Sequence, residues 1–349
     1  MSRAAAARRL ATAAAFGGGG LGALGASLFG VLKVEASLAR RAIGPTQLPW
    51  PDAGGVYGRG LGGRPIRIAL LGDSAAVGYG LTDPDQTPGA ILAAGLAEVT
   101  GRPVRLFVGG VVGAESRDLD GQIDSALLTD PEITVIVIGA NDVTHTRPPG
   151  ESVRCLSDAV RRLREAGSQV VVGTCPDLGT VRPIAPPLKQ VARLWSRRLA
   201  ATQTIATVEA GGRSVSLGAL LGPDFEASPS EFFGPDQFHP SAYGYASVAT
   251  AMLPSVVAAL EERPDREELP EIARGESVLE VSRAAAEASR EAGTEVAPTQ
   301  MGARGRGRWA ALRHRRWLPL PLVDRVRDDT ERDDAARTAD EGVRAGDQS

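Results

Sequence analysis

Three side chains in this sequence have the types and spacing that nucleophilic catalysis requires. Ser74 follows the apolar run 66–71, and Asp236 and His239 stand three residues apart far downstream. A serine hydroxyl becomes an effective nucleophile when an imidazole takes its proton and a carboxylate holds that imidazole in the right tautomer. Each residue also has a plain structural interpretation, as a helix cap or as part of a loop. The chemical interpretation therefore depends on whether groups that stabilise an oxyanion accompany them.

Two further segments supply hydrogen-bond donors for an oxyanion. Gly113 belongs to the glycine-rich segment 109–116, whose backbone N–H groups can approach a ligand closely, and Asn141 of segment 139–142 offers two carboxamide N–H donors. Taken singly, both segments are also ordinary turn sequences. Together with the serine, the aspartate and the histidine, they complete the set of groups that acyl transfer requires.

The segments between these residues predict the elements that position them. Short apolar runs predict five strands, and longer segments between and after them predict five helices. The strands are expected at residues 66–71, 104–108, 133–138, 169–173 and, more weakly, 213–217, and the helices at 88–99, 118–128, 152–166, 187–208 and 241–260. This alternation is typical of an α/β fold with a five-stranded parallel sheet covered by helices on both faces. Functional groups of such sheets gather beyond the carboxyl ends of the strands, where Ser74, Gly113 and Asn141 stand.

These motifs, in this order and spacing, resemble the blocks of the SGNH/GDSL hydrolase family of serine esterases and lipases. The similar blocks are Gly72-Asp73-Ser74, Gly113, Gly139-Ala140-Asn141-Asp142 and Asp236-Gln237-Phe238-His239. The resemblance covers about residues 64–262. Two departures are visible, because Val108 stands where the family often has asparagine, and GDSAA replaces the common GDSL.

The resemblance implies a three-layer α/β/α sandwich of flavodoxin-like type and a role for each site residue. Ser74 would be the nucleophile, His239 the general base and Asp236 its orienting partner. The N–H groups of Ser74 and Gly113 and the side chain of Asn141 would form the oxyanion hole. Neither a cofactor nor a metal is implied.

The expected function is that of a serine esterase that hydrolyses carboxylic esters, acyl or acetyl. A small acyl ester, a lipid and an acylated glycan all remain open as substrates. Two alternatives are an acyltransferase that uses the same site and a catalytically inactive, membrane-tethered binding protein.

The two ends of the chain differ in character from the middle. Three arginines precede the uncharged run 10–32, which is long enough to span a bilayer and also contains small residues suited to signal cleavage. We therefore predict a signal or anchor segment at residues 1–43, a linker at 44–63, a catalytic domain at 64–262 and a charged, largely disordered tail at 263–349. The expected location is extracytoplasmic, either membrane-anchored or secreted.

Composition and the tail bear on possible partners. The 349 residues carry a net charge of −3 and only 4% aromatic residues, which disfavours nucleic acid as a partner of the whole chain. The tail segment 302–317 is rich in arginine and contains two tryptophans. Contact with anionic lipid, nucleic-acid binding and a solvated tail are all compatible with that composition. The sequence gives no indication of the oligomeric state.

Several other residues allow both functional and structural interpretations. His145 is expected to be a loop residue, with pocket lining as the alternative. Cys155 and Cys175 are predicted to lie at the same sheet edge, so that a disulfide and two separate thiols are both open. For Phe225, Phe232 and Phe233, ordinary packing is favoured over a role beside an acyl pocket.

Overall fold

A computed structural model describes residues 34–35, 37–38, 50–261 and 295–296 of the chain. The described strands are β1 Gly55–Tyr57, β2 Ile66–Gly72, β3 Val104–Val108, β4 Ile133–Val137, β5 Gln169–Gly173, β6 Arg213–Val215 and β7 Glu295–Val296. The helices numbered here are α1 Ser74–Val77, α2 Pro88–Thr100, α3 Leu119–Leu127, α4 Ala140–Thr144, α5 Pro149–Glu165, α6 Leu188–Glu209, α7 Leu217–Ala227, α8 Pro229–Phe232 and α9 Ala242–Glu261. Short 3-10 helices occupy Pro84–Gln86, Ser116–Asp118 and Leu178–Thr180.

The strands form one sheet in the order β1-β3-β2-β4-β5-β6-β7. The five strands from β2 to β6 are parallel, which confirms the predicted parallel sheet. The two edge strands, β1 and β7, pair in the antiparallel sense. β2 pairs with both β3 and β4, so the chain switches direction across the sheet beside Ser74, where α/β folds usually place their sites.

Alternating side chains of β2 show how the sheet separates two helical layers. Ile66, Ile68 and Leu70 enter one apolar cluster with residues of α2 and α9, whereas Ala69 and Leu71 enter a second cluster with residues of α3 and α5. This alternation follows from the two-residue repeat of a strand. The result is the expected three-layer α/β/α sandwich.

Three boundaries differ from the sequence prediction. The predicted linker 44–63 contains β1, so the sheet includes residues before position 64. The predicted fifth strand, 213–217, ends at Val215, and α7 begins at Leu217. In the predicted tail 263–349, residues 295–296 form the edge strand β7. The rest of that tail, including 302–317, lies outside the described residues, as does the predicted signal or anchor run 10–32.

Among the described residues, only α9 is long and apolar enough to cross a membrane. Half of its most apolar window is buried, and it packs against α2 and the sheet. We therefore assign α9 to the protein core.

Both cysteines are free thiols, so the disulfide alternative is wrong for this structure. Cys155 lies on α5, and Cys175 is buried just after β5. Burial raises the pKa of both thiols above the ordinary value for cysteine.

Candidate active site

The turn between β2 and α1 brings Ser74 to the carboxyl edge of the sheet. Gly72 has a φ of +135°, and a Cβ there would lie 1.9 Å from the carbonyl oxygen of Val137, so only glycine fits. Asp73 is the N-cap of α1, because its carboxylate oxygen accepts the Ala75 N–H at 2.9 Å. Ser74 is therefore the first helical residue rather than the cap, and its own N–H has no acceptor within the helix.

A continuous hydrogen-bonded chain joins Asp236, His239 and Ser74. His239 Nε2 lies 3.2 Å from Ser74 Oγ, and His239 Nδ1 lies 2.6 Å from Asp236 Oδ2. The other oxygen of Asp236 accepts the backbone N–H groups of Phe238 and His239, each at 3.0 Å. Burial alone would raise the pKa of Asp236, but these hydrogen bonds outweigh it and lower the pKa below its ordinary value.

Aromatic rings hold the imidazole of His239 in place. The rings of Tyr79 and Phe238 approach it edge to face, with centroid distances of 4.8 and 4.9 Å. Tyr245 of α9 is fully buried and donates its hydroxyl to the carbonyl of Tyr79 at 2.8 Å. The core helix α9 thereby fixes one of the two rings that orient the base.

The segments that carry Gly113 and Asn141 are tied to each other and to the serine turn. Asn141 Nδ2 donates to the carbonyl of Ala114 at 2.9 Å, and the Val111 N–H donates to the carbonyl of Gly72 at 3.0 Å. Gly113 is exposed, with a φ of +82°. All the residues predicted for the oxyanion hole thus lie on three connected loops at one edge of the sheet.

Asp142 anchors the far end of the glycine-rich segment. This residue is 3% exposed, and its carboxylate accepts the N–H of Ser116 at 3.1 Å and its hydroxyl at 3.0 Å. The side chains of Asn141 and Asp142 therefore both hold that segment, the first through Ala114 and the second through Ser116.

His145 belongs to a cluster around Glu115 rather than to the hydrogen-bonded chain of Ser74. Its Nδ1 lies 2.7 Å from a carboxylate oxygen of Glu115, which also pairs with Arg147 and Arg117. Burial opposes ionisation of Glu115, but the hydrogen bonds from Arg147 and His145 prevail and lower its pKa. A structural role for His145 is the one that these contacts support.

Two buried glutamines brace the site, and the sequence reasoning missed both. Gln122 of α3 accepts the N–H of Gly72 at 2.8 Å and donates to its carbonyl at 2.9 Å. Gln203 of α6 accepts the N–H of Cys175 and donates to the carbonyl of Ile138, one residue before Gly139. A single glutamine within a helix usually faces solvent, so the sequence carried no signal for either role.

Phe225, Phe232 and Phe233 form a buried aromatic cluster with ring centroids 4.9 Å apart, which confirms the packing interpretation. The part of the chain that the structure describes contains no group of three or more His, Cys, Asp or Glu side chains that could hold a metal ion.

The GDSL-like lipase/acylhydrolase family model matches residues 70–247, which include every residue described above at the centre of the site. The chain belongs to this family. A GDSL-like esterase of Mycobacterium tuberculosis is 42% identical over 269 residues, which cover 73% of this chain and 84% of that protein. The protein is accordingly a carboxylic ester hydrolase.

Solved structures similar to this chain include two bacterial hydrolases. One is Axe2, an acetylxylan esterase from Geobacillus stearothermophilus, with 17% identity, a TM-score of 0.43, and coverage of 55% of this chain and 94% of that one. The other is the lipase/acylhydrolase from Enterococcus faecalis, with 21% identity, a TM-score of 0.43, and coverage of 55% and 96%.

Proposed function

We propose that Ser74, His239 and Asp236 are the catalytic triad and that the enzyme cleaves its ester in two steps. The observation that carries this proposal is the unbroken chain of contacts from Asp236 through His239 to Ser74 Oγ. A base must lie within hydrogen-bond reach of the proton that it removes, and His239 Nε2 meets that condition.

In the first step, Ser74 Oγ attacks the ester carbonyl carbon while His239 Nε2 takes the hydroxyl proton. The Ser74 and Gly113 N–H groups and the Asn141 carboxamide then stabilise the negative oxygen of the tetrahedral intermediate. His239 returns the proton to the leaving alcohol, which releases it and leaves an acyl group on Ser74. Asp236 stabilises the imidazolium while it carries that proton.

In the second step, His239 takes a proton from water as the water oxygen attacks the acyl carbonyl carbon. His239 then returns that proton to Ser74 Oγ as the bond from Ser74 Oγ to the acyl group breaks, which releases the carboxylic acid and regenerates Ser74. A small carboxylic ester is the substrate class that this site supports. Transfer of the acyl group to another acceptor would use the same residues, and formation of the free acid distinguishes hydrolysis from it. Extracytoplasmic location through residues 10–32 stays a prediction from the sequence.

Replacement of Ser74 tests the proposal directly. We expect Ser74→Ala to lower kcat for p-nitrophenyl acetate on the order of 10⁶-fold, since loss of the nucleophile removes the triad as a unit. Ser125→Ala, at an exposed position of α3, is the matched control and should retain the wild-type rate. A fluorophosphonate should label the wild type and Ser125→Ala only. Turnover or labelling of Ser74→Ala at the wild-type level would disprove the assignment.

A further inference from the structure

A small cleft lies between the segment before β1, the end of β3 and the helix α1, which begins at Ser74. Its volume is about 130 Å³, and its walls include Trp50, Asp52 and Ala53 on one side and Val77, Val108 and Gly110 on the other. No step of the proposed reaction has yet used this space.

Two residues of the cleft wall are connected to residues of the triad. Val77 is on the same turn of α1 as Ser74, three residues further along. The Trp50 ring lies 6.3 Å from the ring of Tyr79, which packs against His239. Val77 thus joins the cleft wall to the helix of Ser74, and Trp50 joins it, through Tyr79, to His239.

Gly110 packs directly against α1 at the inner wall of the cleft. A Cβ at Gly110 would lie 3.0 Å from Val77 Cγ1 and 3.1 Å from Ala76 Cβ. Both distances are shorter than ordinary van der Waals contact, so any larger residue would crowd the gap between β3 and α1.

The opposite wall is built on the sheet. β1 pairs with β3, and Tyr57 of β1 donates its hydroxyl to the carbonyl of Ala53 at 2.7 Å. Asp52 accepts the N–H of Gly54 at 2.8 Å. Trp50, which is 53% exposed, thus extends from a segment whose backbone is held in place.

We propose that this cleft binds the alcohol portion of the ester and that Trp50 limits its size. The inference rests on the proposed function, in which His239 protonates the leaving oxygen and the alcohol must therefore lie on the histidine side. The cleft is smaller than the ~300–1,000 Å³ of pockets that hold drug-sized ligands, so the alcohol is a short one.

Two ester series separate the alcohol from the acyl group. One series keeps acetate and lengthens the alcohol from ethyl to octyl, and the other keeps ethanol and lengthens the acyl chain from acetate to octanoate. Trp50→Ala should raise kcat/KM for octyl acetate relative to ethyl acetate about 10-fold or more, because removing the indole admits additional methylenes. The acyl series should keep its wild-type profile, and Trp50→Phe should resemble the wild type in both series.

Trp195→Ala is the matched control, because Trp195 is also an exposed tryptophan but lies on α6. It should leave both profiles unchanged. A changed acyl profile in Trp50→Ala, or no change in either series, would overturn the proposal. Failure of the triad proposal would be seen in a different experiment, because turnover would then be retained in Ser74→Ala.

Discussion

Two aspartates lie close to His239, and their carboxyl groups differ sharply. Asp73 precedes the nucleophile and is 1% exposed, and burial raises its pKa to about 7. Asp236 is hydrogen-bonded to the histidine and is only partly buried, and its pKa lies below the ordinary value. Proximity to the same imidazole therefore does not determine the charge of a carboxyl group here.

The difference lies in the balance between burial and hydrogen-bond donors. Burial raises the pKa of both groups, but Asp236 accepts hydrogen bonds from His239 Nδ1 and from two backbone N–H groups. Asp73 is more deeply buried, and the nearby carboxylate of Asp142 adds to the rise in its pKa. Asp236 is thus suited to stabilise an imidazolium, while Asp73 serves as the cap of α1.

The strongest way to break this contrast is to make Asp236 neutral as well. We expect Asp236→Asn to lower kcat on the order of 10⁴-fold. The amide oxygen would accept the two backbone N–H groups, so the amide nitrogen would face His239 Nδ1. The imidazole would then carry its proton on Nε2 and could not take one from Ser74. Steady-state kinetics with p-nitrophenyl acetate measures the effect.

Asp224→Asn is a suitable control for Asp236→Asn, because Asp224 is an exposed residue of α7. It should keep kcat within about twofold of the wild type, as is usual for surface changes. A loss of less than about tenfold in Asp236→Asn would show that His239 does not depend on this carboxylate for its tautomer.

The contrast between the aspartates also shows which parts of the site the sequence could predict. The apolar runs predicted all five parallel strands, and the spacing of Asp236 and His239 predicted their contact, because both signals are local. The pKa of Asp73 depends on burial by distant segments, which no local pattern encodes. The two hydrogen bonds of Gln122 with Gly72 also join residues far apart in the sequence, so no local pattern predicts them. The strand β1 escaped prediction for another reason, because three residues are too few to show the two-residue alternation of a strand.

A second prediction follows from the raised pKa of Asp73. In the unfolded chain this carboxyl ionises near its ordinary value of 3.8, whereas in the folded chain it ionises at about 7. The stability that the protonated group contributes is complete below pH 3.8 and is lost as the pH rises towards 7. Asp73→Asn removes this loss, so the free energy of unfolding of this variant relative to the wild type should increase by roughly 2 kcal/mol between pH 5 and pH 7.

Urea unfolding of both proteins across that range measures the difference. Asp85→Asn, at an exposed position of a 3-10 helix, removes the same charge and should show no comparable rise. A stability difference for Asp73→Asn that stays constant from pH 5 to pH 8 would mean that Asp73 does not titrate there, and the contrast with Asp236 would fail.

The smallest expected effect comes from Asp142, which bears on the Asp73 side of the comparison. Its carboxylate raises the pKa of Asp73 and also anchors Ser116. Asp142→Asn keeps one oxygen acceptor for Ser116 and removes the charge. The pKa of Asp73 should then be lower by less than about one unit, and the pH at which the free energy of unfolding stops falling should be lower by the same amount. We expect kcat to fall no more than about tenfold, because one of the contacts that hold the Gly113 loop is retained.

Glu98→Gln is the control for the charge effect, since Glu98 is exposed on α2. It should leave the pH profile of stability where it is in the wild type. If Asp142→Asn also leaves the profile unmoved while kcat falls, Asp142 acts only through Ser116. The raised pKa of Asp73 would then follow from its burial without a contribution from Asp142, and the contrast between the two aspartates would not depend on that neighbouring carboxylate.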